Sequence, residues 1–205
     1  MITERLAAEA PKALKRALKV LASGGVVAFP TDTVYGLGAP AFKVESIERL
    51  YAIKGRQQTK AIAVLIAEPG DLGKVAKEPS EQSMRLALHF WPGALTLVLA
   101  RSPDLPGVLS PNDTIGVRVP NHPVAQALLA AAGPLAVTSA NVAGGANARS
   151  AFEVLVQLGG RIELVLDGGQ TPGDRPSTVV DLTGPQPRVL RAGPISEEQI
   201  KAALD

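Results

Sequence analysis

Gly24-Gly25-Val26-Val27-Ala28-Phe29-Pro30-Thr31-Asp32-Thr33-Val34-Tyr35-Gly36-Leu37 is the stretch on which the reading of the fold turns. The glycine pair stops a helix that spans Pro11 to Ala22, where Leu14, Leu18 and Leu21 recur on one face. Val26 to Phe29 is a short apolar run of strand length, and Pro30 ends it. Thr31 to Pro40 then reads as a turn-rich loop. A helix, a buried strand and a polar loop in that order form the repeating unit of an α/β protein.

The same rhythm continues outward. Val44 to Ile53 is a helix with Ile47, Leu50 and Tyr51 on one face, and Ala61 to Ile66 is a strand. Ser80 to Phe90 is a helix with Ser80 as its N-cap. Leu95 to Ala100 and Thr114 to Val119 are strands, and Pro123 to Ala132 is a helix with proline in its first turn. Leu135 to Val137 is a strand that runs into Thr138-Ser139-Ala140-Asn141. Leu164 to Leu166, Ser177 to Leu182 and Arg188 to Leu190 are strand-like, and a short helix follows Ser196. The strands near 95–119 have no helix between them, so the expected sheet is mixed. The fold class is α/β: a twisted open mixed β-sheet with flanking helices. Neither a repeat nor a linker interrupts it, and residues 1–205 read as one domain.

Composition narrows the chemistry. At 46% hydrophobic residues the chain buries a real core, and at 20% charged residues it is not a disordered or charge-driven protein. It has no cysteine and two histidines, His89 and His122. That excludes disulfides, a cysteine nucleophile and a multi-histidine metal site. His122, just before a helix, reads as a positioning or capping residue rather than a catalytic base, and His89 as structural. The charged residues among the first sixteen break any signal-peptide core, and no stretch approaches the ~20 apolar residues of a spanning helix. The expectation is a cytoplasmic protein without a membrane anchor. A net charge of +2 permits contact with nucleic acid without arguing for it.

Four polar clusters each follow a strand or a helix, where ligand groups are commonly placed. In Thr31-Asp32-Thr33 two hydroxyls flank a carboxylate, and local turn hydrogen bonds explain them as well as a ligand does. Lys54-Gly55-Arg56, with Lys60 nearby, sets two cations around one glycine. This suits phosphate, although a helix C-terminus also attracts one cation. In Thr114-Ile115-Gly116-Val117-Arg118-Val119, alternation puts Gly116 and Arg118 on one face. There the arginine either meets a carboxylate or faces solvent. Ser139-Ala140-Asn141, followed by Gly144-Gly145-Ala146-Asn147, could hold a phosphate or ribose, or serve as caps and turns. Ser177 at a strand entry and Arg191 at a strand exit extend the pattern. Walker A, G-x-G-x-x-G and G-x-S-x-G sequences are absent.

Together these clusters, with Trp91-Pro92-Gly93, Gly116-Val117-Arg118-Val119-Pro120, Ser177-Thr178-Val179-Val180-Asp181 and Leu190-Arg191-Ala192-Gly193, resemble the YrdC-like domain of threonylcarbamoyl-AMP synthases from about residue 11 to 195. The resemblance implies that L-threonine, bicarbonate and ATP give threonylcarbamoyl-adenylate and pyrophosphate, with Mg2+ on the nucleotide and no protein metal site. A separate threonylcarbamoyl transferase would then modify tRNA. It implies a signature tetrad of Lys54, Arg56, Ser139 and Asn141, with both cations on phosphate and open to ligand. It places Thr33, Arg118 and Ser177 on threonine, with Arg118 on the carboxylate. Lys60, Thr114, Asn147 and Arg191 would join the tetrad on ATP. Gln57 stands where many relatives have proline, which alters the expected shape of the phosphate loop. A non-catalytic double-stranded RNA- or tRNA-binding module of the same fold is the competing reading.

Overall fold

The computed structural model describes residues 1–173 and 175–205. In chain order the elements begin with β1 (Glu4–Ala7), α1 (Ala13–Ala22), β2 (Val27–Phe29), β3 (Gly36–Pro40), α2 (Val44–Lys54) and β4 (Ala63–Leu65). They continue with α3 (Leu72–Val75), α4 (Glu81–Phe90), β5 (Leu95–Ala100), β6 (Thr114–Arg118), α5 (Pro123–Ala132) and β7 (Leu135–Ser139). The last are α6 (Ala151–Leu158), β8 (Leu164–Asp167), β9 (Thr178–Asp181), β10 (Arg188–Arg191) and α7 (Glu197–Ala202). Among the described residues ten strands form one sheet in the order β1-β8-β2-β3-β7-β4-β6-β5-β9-β10. The sheet is mixed: β4 and β6 run parallel, as do β5 and β9, while β5 and β6 are antiparallel.

Side-chain alternation divides the core between the two faces of this sheet. Ala28, Val64, Ile115, Val117 and Ala136 point to the face that packs against α2, α4 and α6. Val27, Phe29, Leu65, Leu135 and Val137 point to the other face, where α1 and α5 cover them. The α1 and α5 helices pack on each other, and α1 packs over β8, β2 and β3. Farther along, toward β6, β5 and β9, this second face opens into a cavity. Gly116 and Arg118 line it, as the alternation in β6 requires.

Most expected elements stand within a residue or two of their places, and Ser80 caps α4 by accepting a hydrogen bond from Ser83 N at 3.2 Å. His122 likewise caps α5, its Nδ1 accepting from Val124 N. The loop expected over Thr31 to Pro40 is a correction, because its second half is the strand β3, flanked by β2 and β7. Glycine marks a close approach there, not a turn: a Cβ on Gly38 would stand 2.8 Å from Phe29 Cε1. The side chains of the flanking strands lean over β3 and fill the space its own would take. β1, α3 and α6 also went unread in the sequence.

Replacing Ser80 with alanine removes the acceptor for Ser83 N and should cost about 1 kcal/mol. The thermal midpoint should fall by roughly 2–4 °C, read by calorimetry.

Candidate active site

The cavity encloses about 600 Å3 on the uncovered part of the sheet face. Its floor comes from alternate residues of β5 and β6, Thr96, Val98, Thr114, Gly116 and Arg118. The opposite faces of those strands bury Leu95, Leu97, Ile115 and Val117. Gly116 keeps the floor low, since a Cβ there would meet Thr96 Cγ2 at 3.2 Å. Leu65, Val137 and Val179 add an apolar wall.

Arg118 is the most constrained group. It lies inside a sheet with 7% exposure, which corrects the alternative of a solvent-facing arginine. Nη2 donates to Asp32 Oδ1 at 2.6 Å, Nη1 to Thr33 Oγ1 at 3.1 Å and Nε to the Gly93 carbonyl at 2.8 Å. Burial pushes its pKa down, and Asp32 pushes it back up. The guanidinium has five N–H donors, so three fixed contacts leave others for a ligand in the cavity. Asp32 also accepts from Asn121 N at 3.0 Å and lies outside the cavity lining. It therefore serves Arg118 from behind.

A second arginine, Arg191 at the end of β10, wraps Ser177: Nε donates to its carbonyl at 3.0 Å and Nη2 to its Oγ at 3.1 Å. Ser177 Oγ also lies 2.7 Å from Thr96 Oγ1. Burial, then repulsion from Arg118, lowers the Arg191 pKa. The third, Arg56, is held by its own loop, with Nε on the Lys60 carbonyl at 3.2 Å and Nη2 on that of Ala61 at 2.8 Å. Three arginines thus line the cavity, and among the described lining residues there is no carboxylate. Such a field selects an anionic ligand.

Of the residues expected from sequence, Thr33, Arg56, Thr114, Arg118, Ser139, Asn147, Ser177 and Arg191 all line this one cavity. Lys60 does not: its side chain is exposed, and it contributes its carbonyl to Arg56 and to the Tyr51 hydroxyl. Lys54 and Asn141 are also absent from the lining and are 4% and 5% exposed. The expectation that Lys54 is open to ligand is corrected. Gly55, at φ +61°, turns the chain so that Lys54 tucks inward while Arg56 reaches the cavity. Burial, followed by repulsion from Arg56, pushes the Lys54 pKa down to about 8.

Sequence reading missed Thr96, although its place between Leu95 and Leu97 in a buried strand marked the face it shares with Val98. Ser110 and Asn112, also at the cavity, sit in an irregular turn where no periodicity points to them.

The chain matches the Sua5/YciO/YrdC family model, described as telomere recombination, over residues 19–193. It belongs to that family. A threonylcarbamoyl-AMP synthase of Bacillus subtilis is 38% identical over 206 residues, 99% of this chain and 59% of the relative. One of Vibrio cholerae is 37% identical over 184 residues, 88% of this chain and 97% of the relative. The crystal structure of Pyrococcus abyssi Sua5 complexed with L-threonine superposes with a TM-score of 0.91 at 38% identity, covering 99% of this chain and 59% of that one. The chain therefore spans nearly all of some Sua5/YciO/YrdC relatives and about three fifths of others. The described strands and helices carry the family's mixed α/β fold.

Asp32→Asn keeps an acceptor for Asn121 N but removes the counter-charge of a buried guanidinium. Stability should fall by about 2 kcal/mol, less than for a fully buried pair because Asp32 is partly open to water. Urea denaturation of the ligand-free protein checks this.

Proposed function

We propose that this protein is an L-threonylcarbamoyladenylate synthase. It joins L-threonine, bicarbonate and ATP into threonylcarbamoyl-adenylate, releases pyrophosphate, and works in the cytoplasm. The product would pass to a threonylcarbamoyl transferase that modifies tRNA. The observation that carries the reading is the cavity itself: three arginines, many hydroxyls and no carboxylate among its described lining residues, in a volume of about 600 Å3. A nucleotide and an amino acid together match that size and charge. The names of the Bacillus and Vibrio relatives and the threonine bound by the Pyrococcus protein support it. A cavity that gathers its arginines inward favours a small polyanion over an RNA duplex, which is met by shape across an open face. Among the described residues no helix is long and apolar enough to cross a membrane.

In this reading Arg118 takes the threonine carboxylate with its unused N–H donors, and Thr33 and Ser177 stand beside it. Arg56, Thr114, Ser139, Asn147 and Arg191 hold the nucleotide. The threonine amine combines with bicarbonate, losing water, to give a carbamate. A carbamate oxygen attacks the α-phosphorus and the bond to pyrophosphate breaks. Both reacting groups are supplied by substrates, so the protein's part is alignment and stabilisation of charge on the phosphoryl oxygens. Arginine suits that part because its fork stays charged and planar. The described lining residues, rich in hydroxyls and without a carboxylate among them, fit a magnesium ion carried in by the phosphates. When bound, magnesium offsets phosphate charge.

Purified protein with ATP and Mg2+ should release pyrophosphate only when threonine and bicarbonate are both present. Release that ignores threonine, or none at all, overturns the assignment. Arg56→Ala should lower turnover about 100-fold with little change in melting temperature. Arg118→Lys should raise KM for threonine roughly tenfold and leave KM for ATP nearly unchanged, because an ammonium cannot reproduce a planar fork.

A further inference from the structure

Lys54 ends α2, and all three of its N–H donors are taken. Nζ donates to the main-chain carbonyls of Ser139 and Asn141 and, at 3.4 Å, to Asn141 Oδ1. The backbone repays the contact: Ala143 N donates to the Lys54 carbonyl at 2.8 Å. Asn141 continues the network, its Nδ2 donating to the Val142 carbonyl at 2.9 Å and to that of Gly145 at 2.8 Å. From the far side, Gln157 of α6 accepts from Val142 N at 3.2 Å and donates to the Ala146 carbonyl at 3.0 Å. Segment 139–147 is thereby tied down along its length. At its two ends Ser139 and Asn147 line the cavity, whereas Lys54 and Asn141 do not.

We infer that Lys54 and Asn141 are positioning residues: a buried ammonium and a buried amide that hold segment 139–147 so that Ser139 and Asn147 meet the nucleotide, without touching it themselves. This rests on the reading of the cavity as a nucleotide site. For Nζ to reach a phosphate it would have to abandon carbonyl oxygens that surround it away from water, where a charge without partners is most costly. The C-terminal end of α2 adds a favourable dipole for the cation where it lies. Arg56, two residues on and inside the cavity, is placed to meet phosphate directly. The two cations of Lys54-Gly55-Arg56 thus divide the labour, one for the loop and one for the ligand.

The test compares Lys54→Met, Ser139→Ala, Arg56→Ala and their pairs in the full-length protein, by turnover and by ATP titration. Lys54→Met should cut turnover roughly 100-fold through misplacement of Ser139. Adding Ser139→Ala to it should cost little more, because both changes act on one contact. Adding Arg56→Ala should multiply the loss. Full multiplication of the Lys54 and Ser139 effects overturns the inference, since it would mean that Lys54 acts on the ligand by itself. The wild-type protein gives a second reading that needs no folded variant: the 15N resonance of Lys54 Nζ should stay in place when ATP and Mg2+ saturate the site. A large shift of that resonance overturns the inference. A wild-type protein that binds no ATP overturns the nucleotide reading, and this inference with it.

Discussion

A guanidinium buried at the end of an interior strand of a β-sheet has to be neutralised and hydrogen-bonded, and much of the site's architecture follows from how that is done for Arg118. The chain that leaves β2 brings Asp32 and Thr33 to it, and the turn before β5 brings the Gly93 carbonyl. These partners lie 86, 85 and 25 residues away in sequence. One side chain therefore pins the loop after β2 against the end of β6. Because its partners approach from the rim, part of the fork still faces the cavity. An uncharged residue at this position would need none of these contacts, and the two segments would have less reason to meet.

Small residues do the complementary task of making room. β3 carries glycine at positions 36 and 38, where the side chains of Phe29 and Val137 lean across it. β6 carries Gly116 where the floor of the cavity must stay low. α1 and α5 cover the β8-β2-β3 side of this sheet face, and the cavity lies toward β6, β5 and β9. The cavity is the part of the sheet face that packing leaves bare.

How much of this the sequence disclosed depends on the range of the forces involved. Period-two alternation in Thr114 to Val119 was enough to place Gly116 and Arg118 on a shared face, because a strand fixes side-chain direction locally. Capping by Ser80 and His122 was legible for the same reason: its partners lie within three residues. β3 was not legible, since glycine and proline signal turns and only the neighbours β2 and β7 make that segment a strand. The four short residues of β1 pair with β8, from residue 164 onward, and that partner leaves no local trace. The position of Lys54 illustrates the limit most sharply. Two cations around a glycine were readable as a phosphate loop, but which of them faces inward is decided by the φ angle of Gly55 and by carbonyls some 85 residues away.

The pairing of β1 with β8, and the supply of Ser177 and Arg191 from β9 and β10, bear on how the molecule is made. During translation the first strand emerges long before residues 164–167 exist to receive it. At roughly 5–20 residues per second, that wait lasts on the order of ten seconds or more. The cavity closes later still, when its last arginine leaves the ribosome. The full cavity lining therefore exists only once β10 has been synthesised. Any stabilisation lent by a ligand in that cavity acts on the assembled sheet, and earlier nascent intermediates must stay soluble without it.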